Sequence, residues 1–246
     1  MYVLYLSIIG LIIGSYFFGN INFSIIISHF LKRDVRREGS GNPGTMNMLR
    51  NFGVKLGALT LVLDAIKGAV PAIIGWWLIG GTPDNPMTEM MTFGNDKTGL
   101  FIAGISIVIG HIFPVLYKFK GGKGVASSIG VCFVASPIVT AVAFVIGLVF
   151  MFTVKIGSLT SFIITGIPLI YCGVYAILSD RIAEGVLSLC IYAIILCAHH
   201  ANFVRIFTGK EKQTVLFGKN KSAKKNTPQT DIGATEKVDE NKTEEK

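Results

Sequence analysis

Residues 124–153 read GVASSIGVCFVASPIVTAVAFVIGLVFMFT, and no side chain among them is charged. A bilayer-crossing helix needs roughly 20 apolar residues, so this stretch is either one long crossing or two short ones. Ser136-Pro137 lies near its middle. Proline lacks an N–H and crowds the preceding turn, so a helix tends to end at the residue before it. The stretch is therefore read as two short crossings. Outward from it, the runs 3–31, 53–80, 98–117, 158–178 and 182–203 are also long and apolar. The expected architecture is all-α, a membrane-spanning bundle of seven transmembrane helices, some of them short. A re-entrant segment that leaves five crossings is the competing solution.

Composition agrees. Hydrophobic residues make up 51% of the chain and charged residues 15%, against about 25% charged in soluble domains. Mean hydropathy is +0.58. Several long runs are too many for a signal peptide, and the start Met1-Tyr2-Val3-Leu4-Tyr5 lacks its basic leading region.

Charge sets the orientation. Lys32, Arg33, Arg36 and Arg37 follow the first run, and Lys118, Lys120 and Lys123 precede the 124–153 stretch. Between them, residues 81–97 carry Asp84, Glu89 and Asp96 against Lys97. Positive loops stay in the cytoplasm, which places the N-terminus outside and residues 32–52 and 118–124 inside. The Lys-rich end from Arg205 also belongs inside, so the number of crossings must be odd. Residues 1–212 are expected to form the membrane domain and 213–246 a disordered, polar cytoplasmic tail. The basic balance is a topology signal, with no basic face for nucleic acid. Cys132, Cys172, Cys190 and Cys197 lie in apolar runs without paired spacing. They read as small buried hydrophobes, and no metal or cofactor is expected.

Chemistry gathers at the membrane edges. In Glu38-Gly39-Ser40-Gly41-Asn42-Pro43-Gly44-Thr45-Met46-Asn47-Met48-Leu49-Arg50, glycines free the backbone to turn its amides inward. Arg50 adds a fork suited to phosphate. An ordinary cytoplasmic turn is the plainer reading of the same residues. Gly110-His111 and then Lys120-Gly121-Gly122-Lys123-Gly124-Val125 have the makings of an anion cradle: amides, a lysine and a helix start. The spacing does not match the nucleotide P-loop, and for Lys123 snorkelling to the interface is the competing role. His199, Asn202 and Arg205, spaced by three, share roughly one helix face; a helix end with dipole-offsetting basic groups is the simpler alternative. Asp64 and Lys67, one turn apart within a span, read as an ion pair supporting the site, since an unpaired charge there costs several kcal/mol.

Taken in order, Gly-Ser-Gly-Asn-Pro-Gly…Asn-x-x-Arg, Asp-x-x-Lys-Gly, Gly-His-x-Phe-Pro…Phe-Lys-Gly-Gly-Lys-Gly-Val-Ala and His-x-x-Asn…Arg…Gly-x-Glu resemble the acyl-phosphate-dependent glycerol-3-phosphate acyltransferases of bacterial inner membranes, the PlsY family. The resemblance covers about residues 10–211. It implies a seven-helix enzyme with a cytoplasmic active site that joins an acyl chain to glycerol 3-phosphate. The product would be lysophosphatidic acid, the first intermediate of phospholipid synthesis. The implied partners are acyl phosphate, glycerol 3-phosphate, membrane lipid and the enzyme that makes acyl phosphate. Carried onto this chain, it marks Ser40, Arg50, His111, Lys123, His199 and Asn202 as catalytic. Gly39, Asn42, Gly44, Asn47, Gly121, Gly122, Lys123, Gly124 and Arg205 are marked for substrate, and Asp64, Lys67 and Glu211 as structural. Met46 stands where the family usually has a hydroxyl, and His200 where it often has arginine.

The expected mechanism holds both phosphates with cations and amides while the acceptor hydroxyl attacks the acyl carbonyl. Proximity is its largest contribution, roughly 7–11 kcal/mol. A substrate phosphate takes the proton in one version, and His111 or His199 in the other. A transporter of phosphorylated solutes is the alternative class. It would show an inverted repeat and mid-membrane charges, whereas the charges here sit mostly at one edge.

Overall fold

The computed structural model describes residues 2–80, 95–211 and 213, and among them every regular element is helical. The helices are α1 (Tyr2–Gly19), α2 (Phe23–Phe30), α3 (Thr45–Phe52), α4 (Val54–Leu78), α5 (Thr98–Ile112), α6 (Val125–Ala135), α7 (Pro137–Thr153), α8 (Gly157–Leu178), α9 (Ile182–Ala198) and α10 (His200–Phe207). They lie in the compact unit Met1–Leu216. Asp84 and Glu89, and the tail beyond Gln213, lie outside the described residues.

Four segments are long and apolar enough to cross a membrane: Tyr2–Phe30, Val54–Leu78, Thr98–Tyr117 and Gly157–Leu178. The 124–153 stretch is divided at Ser136: α6 ends at Ala135 and Pro137 is the first residue of α7, where its missing N–H costs nothing. The 182–203 run is not one straight helix. It bends by 57° at His199, between α9 and α10. His199 therefore closes one helix while Asn202 and Arg205 belong to the next, which corrects the single shared face read from their spacing.

The core joins α4, α5, α6, α8 and α9 through Ala72, Leu100, Phe101, Ile107, Val131, Leu169 and Ile191. Without a hydrophobic drive between helices in lipid, small residues allow the close backbone approach that holds them. α4 and α6 cross in this way: a Cβ on Gly130 would lie 1.8 Å from the Ala65 carbonyl, and one on Gly68 1.9 Å from that of Ser127. Ile138, Val142, Val145 and Val149 of α7 are exposed, an apolar face suited to lipid. Cys132 and Cys172 are buried but Cys190 and Cys197 are exposed. An apolar neighbourhood marks membrane depth, not which side of a helix faces protein, so burial was expected for two cysteines too many.

The short break between α1 and α2 organises the end of the bundle that carries the motifs. Asn20 is fully buried, donating to the Tyr16 carbonyl and accepting from the Leu116 amide at 3.2 Å. Asn22 caps α2 by accepting from the Ile25 amide, and its Nδ2 donates to the Pro43 carbonyl at 3.2 Å. Ile25, Val35 and Met48 then form a small core that seats α3 against α2.

Candidate active site

The bend at His199 sets α10 beside the start of α8, where Phe203 stacks on Phe162 at 5.0 Å, and the chain after it leads to Glu211. The Glu211 carboxylate accepts from Asn202 Nδ2 at 2.7 Å, Ser158 Oγ at 2.9 Å and Arg205 Nε at 2.8 Å. Burial pushes this carboxyl up, but the hydrogen bonds from Arg205, Asn202 and Ser158 outweigh it and hold its pKa below the usual range. Asn202 then offers its Oδ1 outward, and the Lys123 ammonium donates to it. The Gly-Gly-Lys-Gly turn and the α10 helix thus meet at one hydrogen bond.

Lys123 is also within electrostatic reach of Arg205, Glu211 and Arg50. Burial, then Arg205 and Arg50, lower its pKa to about 8, with Glu211 opposing. Burial likewise lowers the pKa of Arg50, which feels both Glu211 and Arg205. One group from each of the three edge motifs therefore contributes to a cluster of three cations, Arg50, Lys123 and Arg205, around a single carboxylate. That surplus of positive charge fits a phosphate dianion.

The two buried histidines are in opposite tautomers. His199 Nδ1 lies 2.8 Å from the Ile195 carbonyl, which can only accept; the ring proton is on Nδ1 and Nε2 keeps its lone pair. Phe162 packs edge-on against this ring at 4.9 Å. His111 Nδ1 lies 2.9 Å from the Lys67 ammonium, which can only donate, so here the proton is on Nε2. A general base at His111 has no free ring nitrogen to act with, whereas His199 has one.

The glycine turn is built onto His111. The Gly122 amide donates to the His111 carbonyl and the Gly121 amide to that of Ile112, both at 3.1 Å. A Cβ on Gly122 would stand 2.2 Å from His111 Nε2 and 2.8 Å from the Pro43 carbonyl. Pro43 thereby joins the first motif to the second. Gly124 caps α6 with φ +78°, a left-handed conformation natural to glycine.

The first motif is tied down by Asn47. Its Nδ2 donates to the Val35 and Glu38 carbonyls, and its Oδ1 accepts from the Ser40 amide and from Asn51. All four bonding positions of this amide are taken up within residues 35–51, so its side chain ties the loop to α3. Gly39 lies beside Asn47 and Asn51, and Gly44 is the extended residue that starts α3. Ser40 is exposed, its hydroxyl accepting from the Asn42 amide at 3.4 Å.

The amide cradle expected from the glycines takes a different form. The amides of Ser40, Gly41, Asn42, Gly121 and Gly122 are committed within the protein. The groups left to meet an anion are the side-chain cations, with the α6 start beside Lys123. Asp64 and Lys67 are buried and paired at 3.1 Å, the ion pair expected from their spacing. Asn20, Asn22 and Ser158 were not singled out in the sequence. The two asparagines carried a signal, as polar residues inside an apolar run, but Ser158 carried none. Among the described residues no group of three His, Cys, Asp or Glu side chains is placed to hold a metal.

Comparison with known proteins follows this geometry. Residues 9–209 match the family model described as glycerol-3-phosphate acyltransferase. The chain is similar to the glycerol-3-phosphate acyltransferase of Finegoldia magna, 36% identical over 221 residues, which covers 89% of this chain and 100% of that one. It is also similar to the enzyme of that name from Aquifex aeolicus, at 34% identity with 82% and 96% covered. Among solved structures it resembles PlsY, an integral membrane glycerol 3-phosphate acyltransferase, in its glycerol 3-phosphate form. That match has a TM-score of 0.69 at 33% identity, covering 86% of this chain and 96% of the other.

Proposed function

The chain belongs to the glycerol-3-phosphate acyltransferase family, and from that premise we propose that it moves an acyl chain from acyl phosphate to the 1-hydroxyl of glycerol 3-phosphate. The products are lysophosphatidic acid and phosphate, at the first step of phospholipid synthesis. Relatives of this chain have been solved in glycerol 3-phosphate and lysophosphatidic acid forms, which supports the acceptor and the product.

The observation that carries the reading is the convergence of Arg50, Lys123 and Arg205 beside His199 and Asn202. Both proposed substrates bring a phosphate, and the cations hold them side by side. The acceptor oxygen bonds to the acyl carbon, and the acyl carbon–phosphate oxygen bond breaks. The electron pair leaves with phosphate, which the cations stabilise as its charge grows. The hydroxyl proton passes to His199 Nε2 or to a phosphate oxygen. No protein nucleophile is needed, because the donor carries its own leaving group.

In this reading residues 1–212 form the enzyme, crossing a bacterial plasma membrane seven times with α6 and α7 as the short crossings. The N-terminus lies outside and the site faces the cytoplasm. The basic residues at 32–37 and 118–123 support that orientation. The donor is tested by offering purified protein in lipid the same acyl chain as acyl phosphate, acyl-CoA or acyl carrier protein thioester, with glycerol 3-phosphate. Product from acyl phosphate alone is expected. Equal product from a thioester would overturn the proposed donor.

A further inference from the structure

Lys67 is one of the most deeply buried side chains in the protein, 1% exposed, and four groups surround its ammonium. Asp64 Oδ1 lies at 3.1 Å, the Ile21 carbonyl at 2.6 Å, the Gly19 carbonyl at 3.3 Å and His111 Nδ1 at 2.9 Å. The carbonyls come from the break between α1 and α2, the carboxylate from α4 and the imidazole from α5. Holding a charge here costs desolvation, yet an ion pair alone would need neither the two carbonyls nor the imidazole. Beyond the carboxylate on its own helix, the ammonium is directed at two other elements at once, and one of them, α5, leads into the glycine turn.

From this arrangement we infer that Lys67 is a positioning residue for the phosphate site. By donating to Nδ1 it fixes the His111 ring in the Nε2–H tautomer and in one orientation. That ring, together with the His111 carbonyl, sets the path of Gly121 and Gly122, and so the place of Lys123. Asp64 orients Lys67. His111 is thus a fixed donor and spacer, and the proton of the reaction is taken elsewhere. The effect on turnover rests on the function proposed above, but the geometry is read without turnover.

The test removes both charges at once with the double variant D64N/K67M, since deleting one partner would leave the other buried and unpaired. Protein in lipid nanodiscs, labelled with 15N histidine, reports the protonation of each ring nitrogen. The chain has four histidines, and loss of one signal set in His111→Gln assigns His111. Amide exchange at Gly121 and Gly122 reports the turn. In the native protein His111 is expected to show Nε2 protonated and Nδ1 bare. In the double variant that preference is lost and the two glycine amides exchange faster. The specificity constant for glycerol 3-phosphate should fall by about a hundredfold, the cost of a misplaced binding group, with most of the fall in KM. An unchanged ring pattern or unchanged glycine exchange in the folded variant would overturn the inference. Should the variant fail to fold, the native protein still decides, because a His111 ring protonated on Nδ1 contradicts it. Native protein that makes no lysophosphatidic acid would sink the proposed function instead, leaving the ring and amide readings to judge Lys67.

Discussion

Lys123 is an ammonium held near two guanidinium groups, and its pKa of about 8 follows from burial and from that company. Its charge is present below that pH and lost as pH rises through it. The specificity constant for glycerol 3-phosphate, which reports the free enzyme, should therefore decline as pH passes about 8. Bound phosphate favours the charged form and raises the pKa, so kcat should hold to higher pH. Specificity constant and kcat declining together would contradict that assignment. The two histidines make a second contrast. His111→Gln keeps an acceptor for Lys67 and a donor toward the turn, so it should retain far more activity than His111→Ala. If His199 takes the proton, His199→Gln should lose about 100-fold or more, the usual worth of a positioned base. A mild loss would assign the proton to a substrate phosphate. None of this was legible in the sequence. The tautomer of His111 is set by a lysine 44 positions away, and that of His199 by a carbonyl one turn back. A motif names an imidazole but not which of its nitrogens is free.

At the scale of elements, the break at Ser136-Pro137 was legible because proline states its own constraint. The bend at His199 was not, since Ala198-His199-His200 contains neither proline nor glycine. Proline is also an incomplete guide: α4 and α8 run unbroken through Pro71 and Pro168, both buried. Neighbouring helices in a membrane can supply what the missing N–H gives up. Two glycine substitutions separate site from scaffold. Gly122→Ala drives a methyl group into His111 and the Pro43 carbonyl. It should abolish most activity while the thermal unfolding temperature in detergent stays close to native. Gly130→Ala meets the Ala65 backbone at the α4–α6 crossing, and overpacking there should cost about 1–3 kcal/mol of stability. Similar melting for both variants would show that the turn and the crossing are not separate in this way.

For the whole molecule, apolar length and charge asymmetry made the all-helical membrane fold readable before any coordinates. The polar residues that unite the motifs were readable only in part. Asn20 and Asn22 stand out in an apolar run, but their partners, Leu116 and Pro43, lie far along the chain. Orientation has its own test. A cysteine placed at Lys120, in a background where the native cysteines are serine, should resist a membrane-impermeant maleimide in intact cells and react once the membrane is opened. Labelling in intact cells would reverse the proposed topology. The central claim is that three separated motifs make one phosphate-holding acyltransferase site, with Lys123 at its junction. It is tested most directly by lysophosphatidic acid formation from acyl phosphate and glycerol 3-phosphate, by native protein and Lys123→Ala, purified in lipid. Product from the native protein that collapses in the variant is the predicted result. No product from well-folded native protein, or undiminished product from Lys123→Ala, would contradict it.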